Sequence, residues 1–187
     1  MLIENEDFER IKANDSGLEK GEYDSCRFVN CDFSNFSLNE FTFVECQFLE
    51  CNFSLATVQA TAFKDVSFKA CKLVGLDFSI CNTFLFEVNF EECQLNLASF
   101  YQLKLAHSKF INCNLQEVDF VLADLSKASF DGCDLLGAMF ERCLLEHTDF
   151  TGAINYSFDP EMNEVRKARF SRDGIDGLLQ KYDIEIL

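Results

Sequence analysis

The chain has 187 residues, with one Pro, no Trp, 22 Phe and ten Cys, and its 16 basic and 32 acidic residues give a formal net charge of −16. No run approaches the about 18 consecutive apolar residues of a membrane span, and the start, MLIENEDFER, is acidic where a signal sequence is basic. This length suits one domain with a sizeable core, the charge excludes a surface built to hold nucleic acid, and together they point to a soluble cytoplasmic protein.

Phe8, Leu18 and Tyr23 fit a five-residue register, with Ala13 a weak fit, so residues 1–20 read as an N-terminal cap or a degenerate first coil. Terminal repeats are irregular because they shield an open end. From residue 21 the register tightens: Phe28, Phe33, Leu38, Phe43, Phe48, Phe53, Val58, Phe63, Phe68, Leu73 and Phe78. A period of five belongs neither to a helix nor to a simple strand. Two positions before many of these large residues stands a small one, such as Cys26, Cys31, Cys46, Cys51 and Cys71. Two inward side chains flanking one outward side chain make a short extended segment, and the other two residues must turn the chain. A quarter turn per unit closes a coil in about twenty residues, with neighbouring coils about 4.8 Å apart. So short a unit buries its apolar side only by stacking on copies of itself.

Between Phe78 and Phe90 the spacing is twelve residues, so two extra residues fall within 80–87 (ICNTFLFE). They read as a small bulge, with a bend or protruding feature as the alternative. The register then runs unbroken through Phe90, Leu95, Phe100, Leu105, Phe110, Leu115, Phe120, Leu125, Phe130, Leu135, Phe140, Leu145 and Phe150. Strict alternation on a four-sided coil puts Phe on two opposite sides and Leu on the other two. Seventeen of the 22 Phe lie on register, counting Phe8 and Phe170, so the aromatic content is core and not a base-stacking surface. Cys93, Cys113, Cys133 and Cys143 occupy the small inward site, and Cys81 lies at the register break. No C-x-x-C pair occurs, so the thiols read as small buried hydrophobes in a reducing compartment, not as disulfides or metal ligands.

Register continues through Val165 and Phe170, with Asn155 and Pro160 poor core residues in a partial last coil. Ile175, Leu178, Leu179 and Tyr182 then follow i, i+3, i+4, i+7, which predicts an amphipathic helix with Ser171 as N-cap. Ile184 and Ile186 alternate like a short strand. Gly174 and Gly177 each weaken that helix by about 1 kcal/mol relative to Ala, so it depends on packing against something else.

Ala123-Asp124-Leu125 fits the pattern A-(D/N)-L-x-x, Ala98-Ser99-Phe100 follows it with Ser and Phe at the second and third places, and the whole spacing resembles the pentapeptide-repeat family. The resemblance implies an all-β solenoid, a right-handed quadrilateral β-helix over 21–170, followed at 171–187 by a module with a short C-terminal α-helix and strand. Ala168-Arg169-Phe170-Ser171, Gly174-Ile175 and the run from Gly177 to Ile186 (GLLQKYDIEI) resemble the C-terminal module of the quinolone-resistance (Qnr) subfamily. That resemblance implies a homodimer through this module, with Ile175, Leu178, Leu179, Tyr182 and Ile184 as the candidate interface. It also implies a DNA-mimicking rod that binds DNA gyrase or topoisomerase IV and protects it from quinolones or related inhibitors. Several Qnr proteins carry long loops on the β-helix; here only the two-residue insertion stands in their place.

About seven coils at about 4.8 Å make a rod roughly 34 Å long, over which duplex DNA carries about 20 negative charges. Residues 1–152 carry 25 acidic and 11 basic residues, a net −14, a line charge of the same order. Such a rod is steered towards basic clefts and repelled by nucleic acid. The outward acids of the second half, Asp119, Asp124, Asp134, Glu141, Glu146 and Asp149, are the candidate contacts, with Lys104, Lys109 and Lys127 interrupting them. The two His, His107 and His147, share one side with Lys127 between them, and no phosphate-cradling loop or nucleophile motif occurs. No enzymatic activity, metal or cofactor is expected. A structural or adaptor repeat protein with another partner is the alternative function.

Overall fold

The computed structural model describes residues 1–185, apart from the side chain of Ser16. Each five-residue unit is built the same way. The large residue and the small one two before it point inward; Phe28, Phe33, Phe48 and Phe53 are fully buried, as are Cys26, Cys31, Cys46 and Cys51. Two positions after the large residue the chain turns through the left-handed region, as at Asn30 (φ 54°), Asn35 (φ 56°), Glu45 (φ 51°) and Leu97 (φ 64°). Among the described residues no Val, Ile or Thr has a positive φ, as the steric clash of a branched Cβ requires.

The polar residue just before the large one has a local task. Its side chain accepts the backbone N–H two residues on: Ser34 N–H donates to Asp32 (3.0 Å), Ser54 to Asn52 (3.1 Å) and Gln116 to Asn114 (3.0 Å). This Asx-turn fixes the corner and is the physical content of the recurrent Asp or Asn.

Stacked twenty residues apart, the units form parallel strands on two sides. One sheet holds β1 (Leu2–Glu4), β3 (Glu22–Asp24), β5 (Thr42–Val44) and β7 (Ala62–Lys64). The other holds β2 (Asp7–Glu9), β4 (Arg27–Val29), β6 (Gln47–Leu49), β8 (Val66–Lys69), β9 (Val88–Glu91), β10 (Lys109–Ile111) and β11 (Ser129–Asp131). We call these sides faces 1 and 2. Faces 3 and 4 pair through single bridges, Asn52↔Lys72↔Gln94↔Asn114↔Asp134 and Asp77↔Ser99↔Asp119↔Met139. Residues 1–11 already pair with the second coil, Ile3 opposite Tyr23 and Phe8 opposite Phe28.

The core consists of ladders. On face 2, Phe8, Phe28, Phe48, Phe68, Phe90, Phe110, Phe130, Phe150 and Phe170 stack in one column, with successive ring centroids 4.7–5.3 Å apart. On face 4, Phe78, Phe100, Phe120 and Phe140 stack at 4.8, 5.4 and 5.1 Å. The two columns meet edge to face, as in Phe100–Phe110 (5.9 Å, 83°). Leu105, Leu125 and Leu145 fill face 1, and Leu95, Leu115 and Leu135 fill face 3. The alternation of Phe and Leu thus maps onto opposite sides, as the spacing predicts.

Cys31, Cys51, Cys71, Cys93, Cys113 and Cys133 are buried at one corner of successive coils. Cys51, Cys71, Cys93 and Cys133 donate S–H to a carbonyl of the preceding coil: Phe28, Phe48, Phe68 and Phe110 at 3.3–3.4 Å. Thr61 and Thr148 do the same with a hydroxyl, to Leu38 and Leu125 (both 2.8 Å). The inward small site therefore favours a donor as well as a small volume. Burial pushes the Cys46 and Cys143 thiols up, to about 12 and about 11. A raised folded-state value stabilises below the unfolded thiol range and is lost as pH rises through the folded one. The melting temperature is therefore expected to fall between about pH 9 and 12. At pH 8 a thiol-specific dye should label the native protein negligibly and the unfolded chain fully; rapid native labelling would contradict this burial.

At the register break the chain makes a turn at Thr83–Phe86, where Phe86 N–H donates to Thr83 O (3.4 Å). Thr83 faces solvent, and Phe86 enters the core in its place, 6.4 Å from the rings of Phe63 and Phe78. Pairing resumes at Val66↔Val88. Phe84 (68% exposed) is left outside, the one exposed Phe of the chain.

The C-terminal end differs from expectation in two ways. Tyr156 and Phe158 fold in to close the core, with Phe158 5.1 Å from Phe140 and Tyr156 5.6 Å from Phe150. The predicted α-helix is instead two short 3-10 turns, Ile175–Leu178 and Gln180–Tyr182. Gly177 explains this. Its carbonyl, which an α-helix would direct to residue 181, accepts from Phe158 N–H (3.2 Å), and a Cβ there would lie 1.8 Å from the Tyr156 carbonyl oxygen. Close seating on the solenoid end displaces the helical pattern. Ser171, expected as the N-cap, instead closes the turn ahead of it, accepting from Gly174 N–H (3.1 Å), and the first 3-10 turn begins after Gly174 with no side-chain cap. Ile184 is in no strand, and Ile186 lies outside the described residues. Among the described residues the one α-helix is a single turn, Ala13–Ser16.

Candidate interaction surface

Three of every five residues point outward, so the rod presents four long ribbons of side chains. The six acids singled out above fall on all four. Asp124 and Glu146 lie on face 1, Asp149 on face 2, Asp134 on face 3, and Asp119 and Glu141 on face 4, as their bridges and neighbours place them. They do not form one patch.

Four of them also hold corners. Val121, Ser126, Leu136 and Thr151 donate N–H to Asp119 (2.8 Å), Asp124 (3.0 Å), Asp134 (3.1 Å) and Asp149 (3.0 Å). Partial burial opposes ionisation of Asp134, but hydrogen bonds from Asn155, Gln116 and Leu136 outweigh it and hold the carboxyl below its usual range. Asp149 behaves alike: burial is outweighed by Thr151 and the nearby Arg169. Arg166 pairs with Glu146 (2.8 Å) and lowers its pKa, and Arg169 pairs with Asp149 (3.1 Å). Glu141 joins no ion pair among the described residues.

His107, Lys127, His147 and Lys167 stack at one corner of face 1, all with positive φ, and His107, Lys127 and His147 are exposed. This is the polar column expected for the two His, extended by Lys167, and its two Lys place positive charge at this edge of the second half. No group of three His, Cys, Asp or Glu placed to hold a metal ion occurs among the described residues, and no helix is long and apolar enough to cross a membrane.

Face 4 carries something the sequence reading missed. Leu97 (55% exposed), Tyr101 (38%), Leu122 (37%) and Met139 (48%) stand outward on this face or its corners, beside Asp119 and Glu141. The signal was present as large apolar residues at outward positions, but counting charges passes over it.

In the tail, Leu178 is buried against its own core and Leu179 is half-buried, whereas Ile175, Tyr182 and Ile184 are exposed. Lys181 bridges Asp159 and Glu161 (both 2.7 Å), and the Tyr182 hydroxyl donates to Glu161 (3.1 Å), fixing the segment to the solenoid.

The family model described as a pentapeptide repeat region matches residues 83–154. The chain carries a pentapeptide repeat region. The pentapeptide-repeat fold extends along its length: the structure is similar to a trypsin-treated variant of QnrB1, a plasmid-mediated fluoroquinolone resistance protein, with TM-score 0.65 at 15% identity, covering 100% of this chain and 98% of that chain. A second trypsin-treated QnrB1 variant gives TM-score 0.63 at 17% identity, covering 100% and 99%. At such identity the likeness is one of fold. No curated protein matches this sequence.

Proposed function

We propose that this protein is a non-enzymatic, cytoplasmic DNA mimic that binds DNA gyrase or topoisomerase IV and protects it from quinolones. The carrying observation is an acidic rod, net −16, with the fold of a fluoroquinolone resistance protein along its whole length. Carboxylates on all four faces suit imitation of a duplex, which is charged all round, and such a rod binds no nucleic acid directly. In a gyrase supercoiling assay inhibited by ciprofloxacin, added protein should restore supercoiling in a dose-dependent way. No rescue at any concentration, with no gyrase binding, discards the reading.

The tail supports a homodimer, with Ile175, Leu179, Tyr182 and Ile184 facing the partner copy and Leu178 seating the segment. Ile184→Asp should give monomers by light scattering; an unchanged dimer would remove this residue from the interface. The exposed apolar residues of face 4 favour a second reading, an adaptor for a different protein. A pulldown that recovers another protein and no topoisomerase would support it.

A further inference from the structure

We propose that face 4 of the second half is the surface that meets the topoisomerase, and that it takes a protein patch in which Lys or Arg adjoins aliphatic side chains. This rests on the topoisomerase reading above and goes beyond it, because a phosphate backbone offers no apolar stripe to imitate.

The four faces are unequal. None of the exposed large apolar residues lies on face 2, whose outward line runs Gln47, Ser67, Asn89, Lys109 and Ser129. Face 1 bears the outward Lys104 and, at its corner, Lys127 and Lys167, which repel a basic partner. Face 3 also exposes Leu136 and Ile154, but the acid beside them, Asp134, is already engaged by Gln116 (2.6 Å) and Asn155 (2.8 Å). Face 4 combines Leu97, Tyr101, Leu122 and Met139, all more than a third exposed, with two outward carboxylates on neighbouring coils and one cation, Arg142, at its corner.

The spacing is set by the fold. Asp119 bridges Ser99 on one side and Met139 on the other, so Tyr101, Val121 and Glu141 follow one another at the next outward position. Apolar and acidic side chains therefore adjoin in two columns, Asp119 next to Met139 and Val121 next to Glu141, at strand spacing, about 4.8 Å. Each is held by a rigid backbone, so little is lost in ordering it on contact. Tyr and aliphatic anchors contribute affinity at the centre of an interface, whereas rim charges such as Glu141 mainly set approach and salt dependence.

The test uses the full chain and purified gyrase in a direct binding titration, with circular dichroism and thermal melts to verify folding. Tyr101→Ser with Leu122→Ser should weaken binding at least tenfold. Leu97→Ser with Met139→Ser provides an independent pair and should do the same. Gln47→Ala with Ser67→Ala on face 2 should change it less than twofold, and Glu141→Gln should flatten its salt dependence. Unaltered affinity in folded face 4 variants, or an equal loss in the face 2 control, overturns this assignment while leaving the topoisomerase reading intact. Absence of binding by the unsubstituted protein overturns both.

Discussion

Phe110→Ala is expected to destabilise the protein by about 3–5 kcal/mol, lowering the melting temperature by roughly 10 °C. The Phe110 ring is fully buried and stacks on Phe90 (5.3 Å) and Phe130 (5.1 Å), with Phe100 and Phe120 edge-on, both at 5.9 Å. Deletion leaves a cavity that rigid neighbours cannot fill and removes stacking contacts on both sides. Because a solenoid is held by nearest-neighbour interfaces, a gap at mid-column weakens the joint between two blocks of coils. Phe84→Ala is the control: its side chain faces solvent, and the change should stay within about 0.5 kcal/mol. Equal losses in thermal and urea melts would show that the column is not the main source of stability.

Gly177→Ala should detach the C-terminal segment. The new methyl group would meet the Tyr156 carbonyl oxygen at 1.8 Å, a backbone atom that cannot move aside as a side chain could. Loss of the Phe158–Gly177 hydrogen bond and of the Leu178 contact would then uncover Tyr156 and Phe158. Overpacking of this kind costs about 1–3 kcal/mol, but its main result is local: protease cleavage within residues 172–183 should accelerate strongly while the coils stay protected. The dimer proposed above should be lost with it. A variant as resistant as the parent would show that the tail tolerates the shift.

The fold was readable because a five-residue period has no rival among regular elements, and the Phe–Leu alternation fixes which columns share a side. Phe110 above Phe130 follows from arithmetic alone. The candidate contacts were harder to read. Asp119, Asp124, Asp134 and Asp149 look like surface charge in a linear sequence, yet each accepts a hydrogen bond that closes its own corner. Their number reports the turn as much as any partner. Face 4 was missed because an outward Leu or Tyr breaks no periodic rule. The tail was misread because Ile175, Leu178, Leu179 and Tyr182 satisfy helical spacing, while the close approach of Gly177 to Tyr156 depends on how the solenoid ends. At the bulge, the two extra residues were placed only within 80–87, and the structure shows that Phe86 is the inward one while Thr83, five residues after Phe78, faces solvent.

β1 and β2 are the outermost strands of their sheets, each paired on one side alone. Open strand edges are templates for polymerisation, and proteins commonly guard them with charge. Here Glu4, Glu6, Asp7 and Glu9 crowd that rim. Like-charged ends repel, so the acidity read above as imitation also keeps one rod from growing onto the next into a fibre.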